Sequence, residues 1–205
     1  MLTESLQDRM LDAAEVVVFR QGIANLTLEA VAAEAKMSKG GLLHYFPTKD
    51  RLIEGLVNRC AEHWRAGMLE AFEETPEGPG RMTRALLSHL DDAETWTEQC
   101  QQSSSAAFAA LAQNPKLIEP MRAVYSEFRR RLAEDGLEPG VGETVLVAMD
   151  GLWLNRVLGL APVDSRRMEQ IRRVLEALVT PPRRGAGREL KARPRRAAPR
   201  TGRSK

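Results

Sequence analysis

Apolar residues recur along most of this chain with the period of an α-helix. Near the start, Met10, Ala13, Ala14, Val17 and Val18 fall on one helical face while acidic and basic residues occupy the other. This spacing is typical of an amphipathic helix. Similar stripes continue to about residue 180, and no segment shows the two-residue alternation of a half-buried strand. The pattern predicts an all-α chain of about nine helices, with the first helix ending near residue 21.

Three helix starts follow one another closely. Thr27, Ser38 and Thr48 each precede a run with helical spacing, at the position where a hydroxyl side chain caps a helix N-terminus. Pro47 ends the middle run because the residue before a proline is pushed out of the helical region. The sequence therefore predicts two short helices with a tight corner, the second over residues 39–45, and then a longer helix reaching the low seventies. This is a helix-turn-helix, which can place one helix in the major groove of DNA.

The second short helix contains two adjacent glycines. Gly40 and Gly41 each cost about 1 kcal/mol relative to alanine in a helix interior, so a loop without a helix is an alternative. They also remove side chains where a helix N-terminus would approach a phosphate. The spacing of Leu42, Leu43 and Phe46 favours the helix.

The same segment resembles the DNA-binding domain of the TetR family of bacterial repressors, over about the first quarter of the chain. The resemblance implies a DNA-binding domain of three helices over residues 1–50. It implies base contacts from Lys39, Gly40, Leu43 and His44 and phosphate contacts from Thr27, Ser38, Tyr45 and Lys49, with Gly41 at a position that commonly touches DNA. The matching residues are Met10-Leu-Asp-Ala-Ala14, Gly22, Thr27-Leu-Glu-Ala-Val-Ala32, Ser38-Lys-Gly40, Leu42, His44-Tyr-Phe46 and Lys49.

The chain departs from the family at two positions that commonly contact DNA. The family often has Thr where this chain has Gly41, and Tyr where it has Leu43. These changes shift base recognition towards Lys39, His44 and the backbone. The operator sequence therefore does not follow from the resemblance.

The helix predicted over residues 143–160 is apolar around almost its whole circumference. Such a helix is buried on all sides, so we expect it to contact both its own core and a second subunit; a deep core helix in a monomer is the alternative. The resemblance implies a two-fold dimer in which the last two helices form a four-helix bundle, and a dimer reads a palindromic site. The expected interface residues are Val145, Leu152, Asn155, Arg156, Met168, Ile171, Leu175 and Leu178.

The resemblance further implies that residues 51–180 form a helical ligand-binding and dimerisation domain. Its cavity is expected inside the triangle of helices spanning 82–132, closed by the helix over 143–160. Aromatic and flexible side chains with few polar groups suit an apolar or aromatic small molecule, although each is equally consistent with plain core. The candidates are Trp96, Cys100, Phe108, Met121, Tyr125, Met149 and Trp153.

Charge divides the chain into two unequal parts. The formal net charge is +2, but residues 181–205 contain ten Lys or Arg and one acid, Glu189, which leaves twenty basic and twenty-seven acidic residues before them. The composition of 181–205 is typical of a disordered tail. Such a tail could add sequence-independent affinity for DNA, or it could be a solvated terminus that keeps an acidic protein soluble.

The residue composition and the spacing of potential ligand and catalytic residues also reduce the number of function classes that fit this chain. The three histidines and two cysteines lack ligand spacing, so no metal site is expected, and no catalytic constellation or cofactor motif predicts an enzyme. His89 is read as a core histidine, and a thiol switch at Cys100 has no support. No signal peptide or membrane-length apolar run is seen, which favours a cytoplasmic protein without membrane contact. The leading hypothesis is a ligand-released dimeric repressor; a DNA-architectural protein that binds through its basic tail is the alternative.

Overall fold

The computed structural model describes residues 5–22, 25–90, 114–160 and 164–180. Within these ranges the chain forms eight α-helices and one short 3-10 helix, and no strand, which confirms the all-α prediction. The helices are α1 (Leu6–Gln21), α2 (Leu28–Glu34), α3 (Lys39–Tyr45), α4 (Lys49–Glu74), α5 (Arg81–Ser88), the 3-10 helix (Pro115–Ile118), α6 (Glu119–Ala133), α7 (Val141–Val157) and α8 (Ser165–Val179).

The predicted caps start the helices of the N-terminal unit. The hydroxyl oxygen of Thr27 accepts from the N–H of Ala30 at 3.1 Å, and that of Ser38 accepts from the N–H of Gly41 at 3.1 Å. Thr48 does the same for α4. Each cap satisfies an N–H group that has no partner inside the helix. The helical interpretation of residues 39–45 is therefore confirmed, and the loop alternative is wrong.

One apolar cluster joins α1, α2, α3 and the first two turns of α4. Gly55 on α4 is the point of closest approach in it. A Cβ built on Gly55 would lie 2.9 Å from Cε1 of Phe46 and 3.2 Å from Cδ2 of Leu11. Phe46 itself is only 3% exposed, so its ring has little room to move. The absence of a side chain at Gly55 lets the end of the helix-turn-helix pack directly on α4.

We expect Gly55→Ala to destabilise the protein by about 1 kcal/mol, because overpacking costs about 1–3 kcal/mol and exceeds the gain in helix propensity. The matched control is Gly67→Ala on the same helix, where the new Cβ would meet nothing closer than 3.9 Å. Urea denaturation should show a lower free energy of unfolding for the Gly55 variant and a higher one for the Gly67 variant, each relative to the unmodified protein. A Gly55 variant as stable as the Gly67 variant would contradict this packing.

A second apolar cluster lies between the later turns of α4 and helices α5 to α8. Ala61 and Met68 of α4, Phe128 of α6 and Leu146 of α7 are each at most 1% exposed in it. Met121 on α6 packs against both clusters. α4 therefore runs continuously from the helix-turn-helix into the body and belongs to both cores.

Asp135, in the turn after α6, holds the N-terminus of α5. Its two carboxylate oxygens accept from the N–H groups of Met82 and Thr83 at 2.9 and 2.8 Å, and its Oδ2 also accepts from the Thr83 hydroxyl at 2.6 Å. Thr83 is fully buried. This cap comes from 52 residues away in the chain, so it ties α5 to the end of α6.

Replacing Asp135 with Ala would leave these donors without an acceptor. An unsatisfied buried donor costs about 1–3 kcal/mol, so we expect the free energy of unfolding to fall by about 3 kcal/mol. Asp164→Ala removes an ordinary exposed cap, that of α8, and should cost only about 1 kcal/mol. Thermal denaturation compares the stability of the two variants. Equal losses of stability would show that the Asp135 contacts stabilise the protein no more than an ordinary helix cap does.

Candidate nucleic-acid interface and effector site

The corner between α2 and α3 is fixed by backbone hydrogen bonds. The N–H of Lys36 donates to the carbonyl of Ala33 at 3.1 Å, and the N–H of Met37 donates to the carbonyl of Ala32 at 3.0 Å. This pair of bonds defines a Schellman motif. Lys36 takes the left-handed position with φ of 54°, where glycine is usual. Met37, which follows it, packs against the first apolar cluster.

Helix α3 is anchored on one side and open on the other. Leu42 is fully buried and Phe46 is 3% exposed, so they hold the helix against α1 and α4. Lys39, Gly40 and His44 are exposed on the opposite side. The anchored side fixes the orientation of α3, and the open side presents a short, largely polar face.

The structure places all nine predicted DNA contacts on or next to this unit. The hydroxyls of Thr27 and Ser38 are exposed and accept backbone N–H groups, which leaves each O–H proton available for a phosphate oxygen. Tyr45 is 43% exposed, and its ring meets that of His44 edge-on with centroids 5.3 Å apart. The half-buried members of the set are Gly41, Leu43 and Lys49.

Lys39 has a partner that sequence reasoning missed. Its ammonium forms an ion pair with the carboxylate of Glu29 on α2. The hydrogen bond from Lys39 is the main reason that the pKa of Glu29 lies below its ordinary value. Both side chains are more than half exposed, so the pair contributes little to stability. The pair links the first turn of α3 to the first turn of α2.

Arg59 ties α4 to α1. Its guanidinium lies 2.5 Å from Oδ1 of Asp12 and 2.7 Å from Oε1 of Glu15, and it also donates to the carbonyl of Asp8 at 3.3 Å. Burial acts to lower the pKa of Arg59, but Glu15 and Asp12 outweigh it and the pKa is raised. This ion-pair network couples α1 to the helix that enters the body.

Four of the seven predicted effector residues belong to the described structure. Met149 is buried at 4%, and Met121, Tyr125 and Trp153 are half-buried. Met149 belongs to the second apolar cluster, and Tyr125 packs against it. The other three candidates, Trp96, Cys100 and Phe108, lie outside the described residues.

A carboxylate that no sequence pattern pointed to also lies in this region. Asp150 on α7 accepts a hydrogen bond from the Tyr125 hydroxyl at 2.5 Å. Burial raises the pKa of Asp150, against the opposing effect of the Tyr125 hydrogen bond, and burial together with Asp150 raises the pKa of Tyr125. Asp150 is thus a half-buried acid in direct contact with one of the predicted effector residues.

The described parts of the last two helices expose several large apolar side chains, and of these only Leu178 belongs to the interface expected from the sequence. Val145 is fully buried and Leu175 is 5% exposed, so both belong to the core of one chain and neither can offer surface to a partner. Leu178 is 43% exposed, and Leu152, Asn155, Arg156, Met168 and Ile171 are half-buried. The most exposed apolar side chains on α7 and its C-terminal turn and on α8 are Val147, Leu154, Leu158, Leu160, Val174 and Leu178.

The described residues contain no group of three or more His, Cys, Asp or Glu side chains arranged to hold a metal ion. Among those residues no helix has the length and apolarity needed to cross a membrane.

Family models match both parts of the chain. A model of bacterial regulatory proteins of the tetR family matches residues 10–56, and a model of the tetracyclin repressor-like C-terminal domain matches residues 80–180. The two matches lie on either side of the later turns of α4. Together they include most of the chain.

Individual relatives agree with these models. The chain is 26% identical over 175 residues to the HTH-type transcriptional regulator BetI of Escherichia coli strain K12, covering 80% of this chain and 89% of BetI. It resembles a solved TetR-family member from Streptomyces coelicolor A3, with a TM-score of 0.63 and 27% identity. The match covers 86% of this chain and 99% of that chain. It also resembles the multidrug binding protein EbrR complexed with imidazole, with a TM-score of 0.57 and 26% identity. The match covers 87% of this chain and 97% of EbrR. EbrR has also been solved with ethidium, at 24% identity to this chain over 86% of its length and 99% of EbrR, with a TM-score of 0.61.

Proposed function

This chain belongs to the TetR family of bacterial transcriptional regulators, and on that premise we propose that it is a dimeric repressor released from a palindromic operator by a small molecule. The observation that carries the proposal is the anchored α3 helix with its exposed Lys39, Gly40 and His44. Residues 1–50 would bind DNA, residues 51–180 would bind the effector and the second subunit, and residues 181–205 would form a basic tail.

The exposed apolar stripe on α7 supports the dimer. Val147, Gly151, Leu154 and Leu158 follow one another at spacings of four, three and four residues, so they lie on one side of the helix. On α8, Val174 and Leu178 extend a second stripe. A contiguous apolar surface of this kind marks an interaction site, and a two-fold axis would bury the same stripe from both subunits.

The dimer explains how a short reading helix gains specificity. One seven-residue helix contacts few base pairs, whereas a two-fold dimer doubles the site and makes it palindromic. The two α3 helices would need to lie about 34–36 Å apart to enter successive turns of the major groove. A small change in that separation would prevent simultaneous binding.

Helix α4 is suited to transmit an effector signal. It packs in the first cluster with α3 and in the second cluster with α6, and Arg59 couples it to α1. A ligand that moves the later turns of α4 would therefore move the DNA-binding unit. The complexes of EbrR with imidazole and ethidium support a small-molecule effector for this chain as well.

A bacterial reporter tests the direction of regulation. A DNA site that the protein selects would be placed between a promoter and the reporter gene. The proposal predicts that producing the protein lowers expression and that an effector restores it. Higher expression on producing the protein would mean an activator, and no change would remove the regulatory proposal.

A further inference from the structure

A half-buried carboxylate lies among aromatic rings in the body of the chain. Asp150 on α7 accepts from the Tyr125 hydroxyl on α6 at 2.5 Å. The Tyr125 ring centroid lies 4.8 Å from that of Trp64 on α4, and Trp64 meets Phe128 edge-on at 4.7 Å. Three helices thus bring one acid and three rings together, and Asp150, Tyr125 and Trp64 each keep part of their surface accessible.

No described lysine or arginine forms an ion pair with this carboxylate. Among charged groups, Arg129 on α6 acts to lower the pKa of Asp150 and Glu143 on α7 acts to raise it, and these two pair with each other at 2.8 Å. Cys60 on α4 lies close enough to Tyr125 to influence it. Burial therefore disfavours the charged form of Asp150 without a full counter-charge, and a buried carboxylate is costly unless it is paired.

We propose that Asp150, Trp64 and Tyr125 form a recognition site for an organic cation, an ammonium or nitrogen-heteroaromatic ion that carries apolar groups, and that this cation is the effector. The inference rests on the proposed function. A cation supplies the counter-charge that no lysine or arginine among the described residues provides, and aromatic faces within about 6 Å attract it further. An anion would meet the negative charge of Asp150, and a neutral apolar molecule would leave the carboxylate desolvated and unpaired.

The position of Trp64 connects this site to the DNA-binding unit. Trp64 lies five residues after Arg59 on α4, less than two helical turns away. Arg59 is the residue that holds α4 to α1. A cation that moves the Trp64 ring therefore acts on the same helix that carries the DNA-binding unit.

The test compares two probes of almost the same shape on the full chain, without DNA. Benzyltrimethylammonium is a cation, and neopentylbenzene is its neutral carbon analogue. Isothermal titration should show at least about tenfold tighter binding of the cation, from ion pairing and cation–π attraction. Equal affinity for both probes would overturn the proposal.

Asp150→Asn keeps the shape of the side chain and removes its charge. This variant should lose at least about tenfold in affinity for the cation while the neutral probe is unaffected. Glu134→Gln is the control, because it removes the same charge from an exposed acid at the C-terminal end of α6. Unchanged cation affinity in the Asp150 variant, or an equal loss in the Glu134 variant, would overturn the assignment.

The pH dependence provides a second readout that a purely structural role would not change. The cation needs ionised Asp150, so its affinity should be lost as the pH falls through the raised pKa of that group. The Tyr125 hydrogen bond lowers this pKa, so Tyr125→Phe should move the loss of affinity to higher pH while keeping the ring. An unmoved midpoint would contradict the proposal. Release of DNA by the bound cation is measured separately by fluorescence anisotropy, so failed induction is distinguishable from failed binding.

Discussion

Leu154→Glu should convert the protein to a monomer and reduce its affinity for a selected operator by at least about 100-fold. Leu154 is 39% exposed at the centre of the α7 stripe. In a two-fold interface both subunits contribute the substituted residue, so one substitution buries two carboxylates. Each unpaired buried carboxylate costs several kcal/mol. Because about 1.4 kcal/mol corresponds to a tenfold change, the dimer should not survive at micromolar concentration.

Light scattering after size exclusion measures the mass, and fluorescence anisotropy measures the DNA affinity. Leu6→Glu on α1 is a matched control, since Leu6 is 41% exposed and lies away from the stripe. The control should keep the dimer mass and the melting temperature. A Leu154 variant that remains a dimer would show that another surface joins the subunits.

Gly40→Ala should weaken DNA binding by about tenfold or more while the fold becomes no less stable. A Cβ at Gly40 would meet nothing within 4 Å in the protein, so the free chain has room for it. Alanine also improves helix propensity by up to about 1 kcal/mol. Glycine at an exposed site with open space is explained if the backbone approaches a ligand closely, and we propose that this ligand is DNA.

Gly67→Ala controls for the general effect of replacing a helical glycine. Gly67 lies on α4 in the body, and its variant should gain stability without any change in DNA affinity. Urea denaturation and anisotropy on the same samples separate the two effects. If Gly40→Ala binds DNA as the unmodified protein does, α3 does not approach DNA through this residue.

The local structure was predictable from the sequence where the signal is itself local. Thr27, Ser38 and Thr48 cap helices because a hydroxyl next to a helix N-terminus reaches its first N–H groups, and this needs no tertiary information. The all-α class, the short α3 helix and the exposure of Lys39 and His44 followed from periodicity and from the resemblance.

Features that depend on distant parts of the chain could not be predicted. Asp135 caps a helix 52 residues away, and Asp150 bonds to Tyr125 across 25 residues, so neither pairing has a sequence signal. Nothing in the sequence around Gly55 distinguishes it from another glycine in a helix, because its close contact with Phe46 arises only when the chain folds. Lys36 takes a left-handed conformation that its residue type disfavours.

Helix α7 shows the limit of periodicity most clearly. Apolar side chains around nearly the whole circumference of a helix predict burial but do not say which neighbour provides it. Val145 turned out to face the core of its own chain and Val147 to face outward, although both are valines two positions apart. Only the packing of α5, α6 and α8 around α7 decides between them.

The central claim is that α3 reads DNA as part of a two-fold dimer. Its most direct test is selection of bound sequences from a random double-stranded library by the purified full-length protein. We expect an enriched palindrome whose half-sites are separated by about one turn of DNA, about 10 base pairs. Retained binding with no enriched motif would contradict it and would favour sequence-independent binding through the basic tail.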